Sequence, residues 1–313
     1  MPSNLGPFGI RPWTRPNFLN LYSRKVLLTV LLVIGGTGQI GSHFSSSVRD
    51  RHDVRAIAHT PESQGKLSAL GFDVVAGSID DPGTLARALD GVDRLFLATP
   101  NHERLAAREI AVIDAAERAG VRRLAKISVV FAEEPMILTA PHGLVEQRLQ
   151  SSSLEWVALQ PVAFMDNVLG QLDGVAQGAF YFAAGVAHIP LIDTRDIADA
   201  ALAFLDGSTD ERGSVVVTGP QSITLSEFAD RLGACVSRPV AYVDPGPEGW
   251  RGALLGAGLP DWYADGLVEL FSRYTSAGDT PATGGVQRLT GQPARTVEAF
   301  ADEVLSPALA ALR

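Results

Sequence analysis

His142 and Glu146 stand four residues apart in Pro141-His142-Gly143-Leu144-Val145-Glu146, which puts both side chains on one face if the segment is helical. An imidazole there could relay a proton, and a carboxylate one turn later would orient it or raise its pKa. The competing reading makes His142 a polar residue at a helix start and Glu146 part of a solvated or packing face. Ser128, in Lys126-Ile127-Ser128-Val129-Val130, could hydrogen-bond a carbonyl or carboxamide, or only satisfy backbone at a strand end. A tyrosine with a lysine four residues on, whose ammonium would lower the phenol pKa for proton transfer to a substrate oxygen, is absent from the chain. Asp193 and Asp196 suggest a carboxylate pair, yet they precede an alanine-rich run, where acids suit a positive helix end. Histidines, Cys235 and carboxylates show no metal-ligand spacing, so no metal is expected, and there is no Gly-x-Ser-x-Gly nucleophile turn.

A second signal lies in Leu27 to Phe44. Its first half is an apolar, partly β-branched run, as expected of a parallel strand buried on both faces. The second half, Gly35-Gly36-Thr37-Gly38-Gln39-Ile40-Gly41, spaces glycines as G-x-x-G-x-x-G and then turns helix-like. Glycines 35, 38 and 41 allow a sharp turn, close approach of a ligand, and packing of helix on strand, leaving the first helical N–H groups to face a diphosphate. About 20 residues further on, where such a fold inspects the adenosine ribose, stands His59 followed by Thr60, not an acid or an arginine. His59 could donate to a 2′-phosphate, with Arg55 or Lys66 adding charge if they face the same way, or could be a strand end without a ligand.

These groups need a scaffold, and the alternation of patterns supplies one. Strands are expected at Asp53–His59, Asp73–Ala76, Asp93–Ala98, Arg123–Val130 and Glu155–Gln160, separated by helices near 62–70, 82–89, 104–119 and 141–149. Strands and helices in this order imply an α/β fold, a doubly wound parallel sheet of Rossmann type with right-handed crossovers. Ala98, Thr99, Pro100 and Asn101 leave room for a ligand at the fourth strand's end, and Ser78 and Ile79 lie in the same layer, where an adenine could rest. The chain divides into a 1–24 extension, a dinucleotide-binding domain at 25–160, and a smaller, mostly helical substrate lobe at 161–313, some of whose strands return to the main sheet. In the last part, a short strand is expected at Ile189–Ile192, a helix at Asp196–Leu205, a strand at Val215–Thr218, and a capping box at Thr224–Glu227. Phe131, Phe164, Asn167, Trp250 and Trp262 are the candidate lining of an apolar substrate pocket, though each aromatic taken alone is ordinary core.

Composition narrows the class. The chain has 313 residues and a net charge of -9, which gives no global basic field for nucleic acid. The one cysteine excludes an internal disulfide framework and fits a reducing, cytoplasmic compartment; Cys235 reads as a small core residue. The longest apolar run, Val26–Ile34, is too short to cross a bilayer. The first 24 residues carry prolines and arginines and no acid; they read as a flexible or loosely docked extension. Partners are then a small-molecule substrate, with no nucleic acid and no membrane, for a monomer or homodimer.

From Val30 to Glu303 the chain resembles the NmrA-like, atypical short-chain dehydrogenases/reductases, which include quinone, triphenylmethane-dye and azo-dye reductases and redox-sensing regulators. The resemblance rests on the glycine turn, Val54-Arg55-Ala56, Leu89-Asp90-Gly91-Val92-Asp93, His142-Gly143-Leu144-Val145-Glu146, Leu159-Gln160-Pro161 through Phe164-Met165-Asp166-Asn167, Asp193-Thr194-Arg195-Asp196-Ile197-Ala198 and Thr218-Gly219-Pro220. It implies cofactor contacts from Gly35, Thr37, Gly38, Gln39, Ile40 and Gly41, from His59, Ser78 and Ile79, and from Ala98 to Asn101, with Pro161 in the segment flanking the nicotinamide. Many members have Arg at His59, Asp at Ser78 and Arg at Gln160.

Without a Tyr/Lys pair, direct hydride transfer is expected to acceptors that need little help. Quinones, dyes and iminium-like carbons qualify, because the product anion is delocalised or a cation is neutralised. The expected activity is that of an NAD(P)H-dependent oxidoreductase, NADP(H) preferred and NAD(H) possible. A silent NAD(P) sensor and a tailoring enzyme with a structural nucleotide are the alternatives.

Overall fold

The structure is a computed structural model that describes residues 30–49, 51 and 53–312; the 1–24 extension and the start of the first expected strand lie outside them. Val30–Ile34 (β1) alternates cleanly between two cores. Leu31 and Val33 join Phe44, Ala56 and Phe96 on one face, while Leu32 and Ile34 join Leu95, Val112 and Leu124 on the other. An apolar run without polar alternation follows from burial on both sides.

The alternation continues through Gln39–Ser47 (α1), Val54–Ala58 (β2), Pro61–Ala69 (α2), Asp73–Ala76 (β3), Pro82–Leu89 (α3), Val92–Leu97 (β4), Leu105–Ala119 (α4), Arg123–Ile127 (β5), Ala140–Gln150 (α5) and Glu155–Pro161 (β6). Among the described residues these strands and Gly213–Val217 form a seven-stranded parallel sheet. Helix ends follow local chemistry. Thr60 and Ser63 form a capping box ahead of α2, Asp81 caps α3 through the amides of Gly83 and Thr84, and α4 stops at left-handed Gly120.

After β6 come a 3-10 turn at Met165–Gln171, Leu172–Gln177 (α6), Ala179–Tyr181 (β7), Thr194–Leu205 (α7) and Gly213–Val217 (β8). Next are Leu225–Cys235 (α8), Ala241–Val243 (β9), Gly246–Gly256 (α9) and Asp261–Ala277 (α10), and β7 pairs with β9 in a separate small parallel sheet. The sheet order is β3-β2-β1-β4-β5-β6-β8, so β8 joins the main sheet from the C-terminal portion. Thr224 and Glu227 form the capping box of α8, and Cys235, half-buried, packs against the edge of the larger core.

The expected strand at 189–192 does not form. Ile189 and Ile192 make only isolated bridges, to Ile223 and Phe164. Pro190 between them has no N–H to give a ladder, and Leu191 N–H turns back to Ile189 O (2.9 Å). No helix among the described residues is long and apolar enough to cross a membrane.

Candidate functional site

The strand order reverses between β1 and β4, which opens a crevice at their carboxyl ends, where ligands of open α/β sheets bind. Gly35 stands there with φ +85°, and a Cβ on it would lie 1.8 Å from the carbonyl oxygen of Ala98. A Cβ on Gly41 would lie 1.9 Å from Gly35 O, which explains helix α1 riding directly on the bend. Gly38 differs: a Cβ there would meet only Gly35 O, at 3.5 Å. Gly38 is the N-cap of α1, gives it no side-chain cap, and is followed by no acid in the first turn. The amides of Gln39, Ile40 and Gly41 have no helical acceptor, and the dipole there favours an anion. The space in front of Gly38 therefore fits a pyrophosphate.

His59 is exposed at the end of β2, directly before the cap of α2. Arg55 does not join it: its guanidinium is held by Asp73 (2.8 Å) and by the carbonyls of Ala88 and Asp90. Lys66 is tied to Glu62 (2.7 Å). Ser78 turns its hydroxyl to Asp80, and Ile79 is buried beside Leu85 and Leu89. Asn101 Nδ2 comes within 3.5 Å of the Tyr263 hydroxyl on the first turn of α10, so the C-terminal portion reaches over the crevice.

His142 and Glu146 do not act on each other. Glu146 is buried and accepts from Ser128 Oγ, from Gln160 Nε2 (2.9 Å) and from Ser214 Oγ (2.5 Å). The Ser128 proton is thereby committed, leaving its lone pairs for an N–H such as a carboxamide's. His142, 6 % exposed, meets Lys126 instead, with Nδ1 2.8 Å from Nζ. Burial and the Lys126 ammonium hold its pKa well below the usual histidine range, the opposite of what a carboxylate neighbour would do.

Lys126 is paired with Glu109 Oε2 (2.8 Å), both fully buried, and Thr99 Oγ1 donates to Glu109 Oε1 (2.6 Å). Thr99 of the crevice is thus connected through α4 and β5 to α5. Sequence reasoning missed Glu109 and Lys126. The available signal was a lysine inside the apolar strand Leu124-Ala125-Lys126-Ile127, since an ammonium buried between helix and sheet requires a carboxylate.

On the other side of β6, a tight cleft whose cavity volume is about 10 Å³, room for about one water, is lined by Phe164, Asn167, Phe182, Leu191, Phe228 and Phe271, among others. Of the expected lining only Phe164 and Asn167 reach it. Trp250, 4 % exposed, packs one layer behind, edge-on to Phe182 and Phe271. Trp262 is half-buried beside Tyr263 near the crevice. Phe131 adopts a left-handed backbone (φ 62°) after β5, held between Tyr274 and the Arg273 guanidinium, which Glu134 grips through both oxygens. Such strain in a bulky residue is sustained only by surroundings that fix it. Asp193 caps α7, and Asp196 binds Arg295; no group of acids, histidines or cysteines arranged for a metal occurs among the described residues.

The reversed strand order and the uncapped glycine bend define a doubly wound, dinucleotide-binding protein. A family model described as NAD(P)H-binding matches residues 35–207. NAD(P)H azoreductase of Xenophilus azovorans is 33% identical over 276 residues, covering 87% of this chain and 96% of the relative. The (4-alkanoyl-5-oxo-2,5-dihydrofuran-3-yl)methyl phosphate reductase of Streptomyces griseus is 33% identical over 88% of this chain and all 100% of the relative. The structure of NADPH-dependent quinone oxidoreductase QOR2 from Escherichia coli complexed with NADPH superposes with a TM-score of 0.76, at 26% identity, over 88% of this chain and 99% of that one. The chain belongs to the NAD(P)H-binding, NmrA-like family of atypical short-chain dehydrogenases/reductases, and is an NAD(P)H-dependent oxidoreductase.

Proposed function

We propose that the protein reduces a flat, electron-poor, aromatic or quinone-like molecule by direct hydride transfer, with NADPH preferred over NADH and no tyrosine/lysine proton relay. The observation that carries this reading is the chemistry of the cleft beside the end of β6, where aromatic and aliphatic side chains surround one amide, Asn167, and no charged side chain; at about 10 Å³ the cleft has to widen around Phe164 and its neighbours to admit an acceptor. The azo and quinone acceptors in the names of similar proteins support it.

In this reading the α1 amides hold the pyrophosphate, His59 stands at the ribose, and Ala98 to Asn101 with Pro161 border the nicotinamide. A bound reduced nicotinamide supplies a hydride. The chain's part is to exclude water and orient the acceptor face-on with Phe164 and its neighbours, while Ser128 accepts from the carboxamide. Residues 161–313, apart from what they return to the main sheet, serve as the substrate lobe.

The test follows absorbance of the reduced nicotinamide with a panel of quinones and azo dyes, under NADPH and NADH. Turnover is expected, faster with NADPH. Tight binding of the nucleotide without its consumption by any acceptor would instead make the protein a sensor.

A further inference from the structure

We infer that Lys126 is a positioning residue that fixes His142 as a neutral imidazole with its single ring proton on Nε2, a hydrogen-bond donor at the nicotinamide end of the sheet. Only the part concerning a reacting oxygen rests on the proposed reductase function.

An ammonium has three N–H donors and no acceptor. Lys126 Nζ hydrogen-bonds Ile127 O at 3.0 Å and His142 Nδ1 at 2.8 Å, and forms an ion pair with Glu109 Oε2 at 2.8 Å that lacks hydrogen-bond geometry. An ammonium has no lone pair to offer, so against it Nδ1 can only accept, and the ring proton resides on Nε2. An uncharged lysine could accept from an Nδ1–H with the same contacts, but Glu109 would then be a lone carboxylate, fully buried, with only Thr99 to answer it. The cost of such a charge favours the ion pair. Burial acts in the same direction by opposing a second positive charge on the ring.

Other charged groups near this corner are engaged elsewhere. Glu146, on the same helix, is turned to Ser128, Gln160 and Ser214. The loop against the first turn of α5, where a Cβ on Gly143 would lie 2.1 Å from Ala132 O, carries Glu134, which is held by Arg273. Nε2 has no hydrogen-bond partner among the described residues, on a side chain whose residue is 6 % exposed.

The short-chain arrangement of a helix-borne lysine beside a helix-borne tyrosine is replaced here by a strand-borne lysine beside a helix-borne histidine. A neutral imidazole N–H stabilises an oxygen that gains charge without surrendering its proton. On a quinone, the hydride adds two electrons, Nε2–H bonds the resulting oxyanion, and water supplies the proton that completes the hydroquinone.

The test uses the full chain labelled with ¹⁵N-histidine, with the His142 signal assigned by His142→Gln. Long-range ¹H–¹⁵N correlation is expected to show an unprotonated Nδ1 and a protonated Nε2, without titration between about pH 5.5 and 8.5. Lys126→Met alone would strand Glu109, so the comparison is the charge-free pair Lys126→Met/Glu109→Gln. In that folded variant His142 is expected to titrate or to mix tautomers, and the pH profile of quinone turnover is expected to gain an inflection absent from the parent. A protonated Nδ1 in the parent, or an unchanged tautomer and profile in the double variant, overturns the inference. His142→Gln is expected to lower kcat about tenfold or more with little change in KM; an unchanged kcat removes the oxygen-facing role. The expected tautomer without turnover of any acceptor would count against the reductase reading alone.

Discussion

Gly35 and Ala98 meet across the crevice so closely that the hydrogen on the Gly35 α-carbon is all the space allows: a Cβ there would lie 1.8 Å from the Ala98 carbonyl oxygen. The residue also has φ +85°, a conformation costly to any other residue. Gly35→Ala should therefore lower the unfolding free energy by about 2 kcal/mol or more and weaken nucleotide binding with it. Gly38→Leu separates the two effects, because its side chain would enter open space at φ -73°. Thermal melting of that variant should shift little, while the Kd for NADPH by fluorescence titration should rise about tenfold or more. Unchanged affinity would remove the pyrophosphate from the bend.

Arg55 and Lys66 have other partners, so in the proposed reading His59 is the group that faces a 2′-phosphate. Replacing it with Ala should raise the Kd for NADPH about three- to tenfold, a loss near 1 kcal/mol, and leave NADH unaffected. Paired titrations of the two nucleotides decide it; equal losses would mean that His59 supports the strand end and reads no phosphate.

Glu146 collects hydrogens from Ser128, Gln160 and Ser214. Glu146→Gln keeps the shape but sets an NH₂ against at least one donor that had an oxygen to bond. Urea denaturation should show a loss of about 2–3 kcal/mol, larger than that of Ser128→Ala. A smaller loss for the glutamine would show that the network can turn over to accommodate an amide.

The cavity beside β6 offers an anion nothing to pair with, and the nearby Arg273 is gripped by Glu134. An uncompensated ion there costs several kcal/mol. kcat/KM for a neutral naphthoquinone should exceed that for its sulfonate by about a hundredfold. The Streptomyces relative, named for a phosphate-bearing substrate, should not share this preference if its pocket holds a cation. Comparable rates with the two quinones would place the acceptor outside the cavity.

Arg231 bonds Glu298 through two nitrogens (2.7 and 2.9 Å) and holds that carboxyl down to about 2. A depressed carboxyl pKa stabilises the fold above the unfolded value and loses that contribution as pH falls toward the folded one. The pair is partly exposed, so Arg231→Gln should cost less than about 1 kcal/mol at neutral pH. The difference between variant and parent should shrink as acid is added from about pH 4.5 downward; chemical unfolding along that series measures it.

What could be read from the residues was whatever the backbone itself demands. Gly35 and Gly41 stand where no side chain fits, and Thr224 where free amides need an oxygen. The run into Ile34 declared a strand with two dry faces. The polar core was hidden because its members come from separate elements: Thr99 after β4, Glu109 on α4, Lys126 on β5 and His142 on α5. Nothing local distinguishes Glu109 from an ordinary surface acid, and His142 was assigned the wrong neighbour because i+4 spacing says only that two side chains share a face. Helices α9 and α10 were obscured by glycine and proline around them, although Asp261–Ala277 is the longest helix among the described residues.

β8 lies at the far edge of the large sheet, yet the chain reaches it only after laying down the turn that bears Phe164 and Asn167, and leaves it again to build α8 and α10 around the same cavity. If the proposed acceptor lies in that cleft, its walls are sewn through the nucleotide platform and cannot be exchanged as a cassette. New acceptors have to be won residue by residue, in place, on a frame whose edge would fray if the stitching were cut.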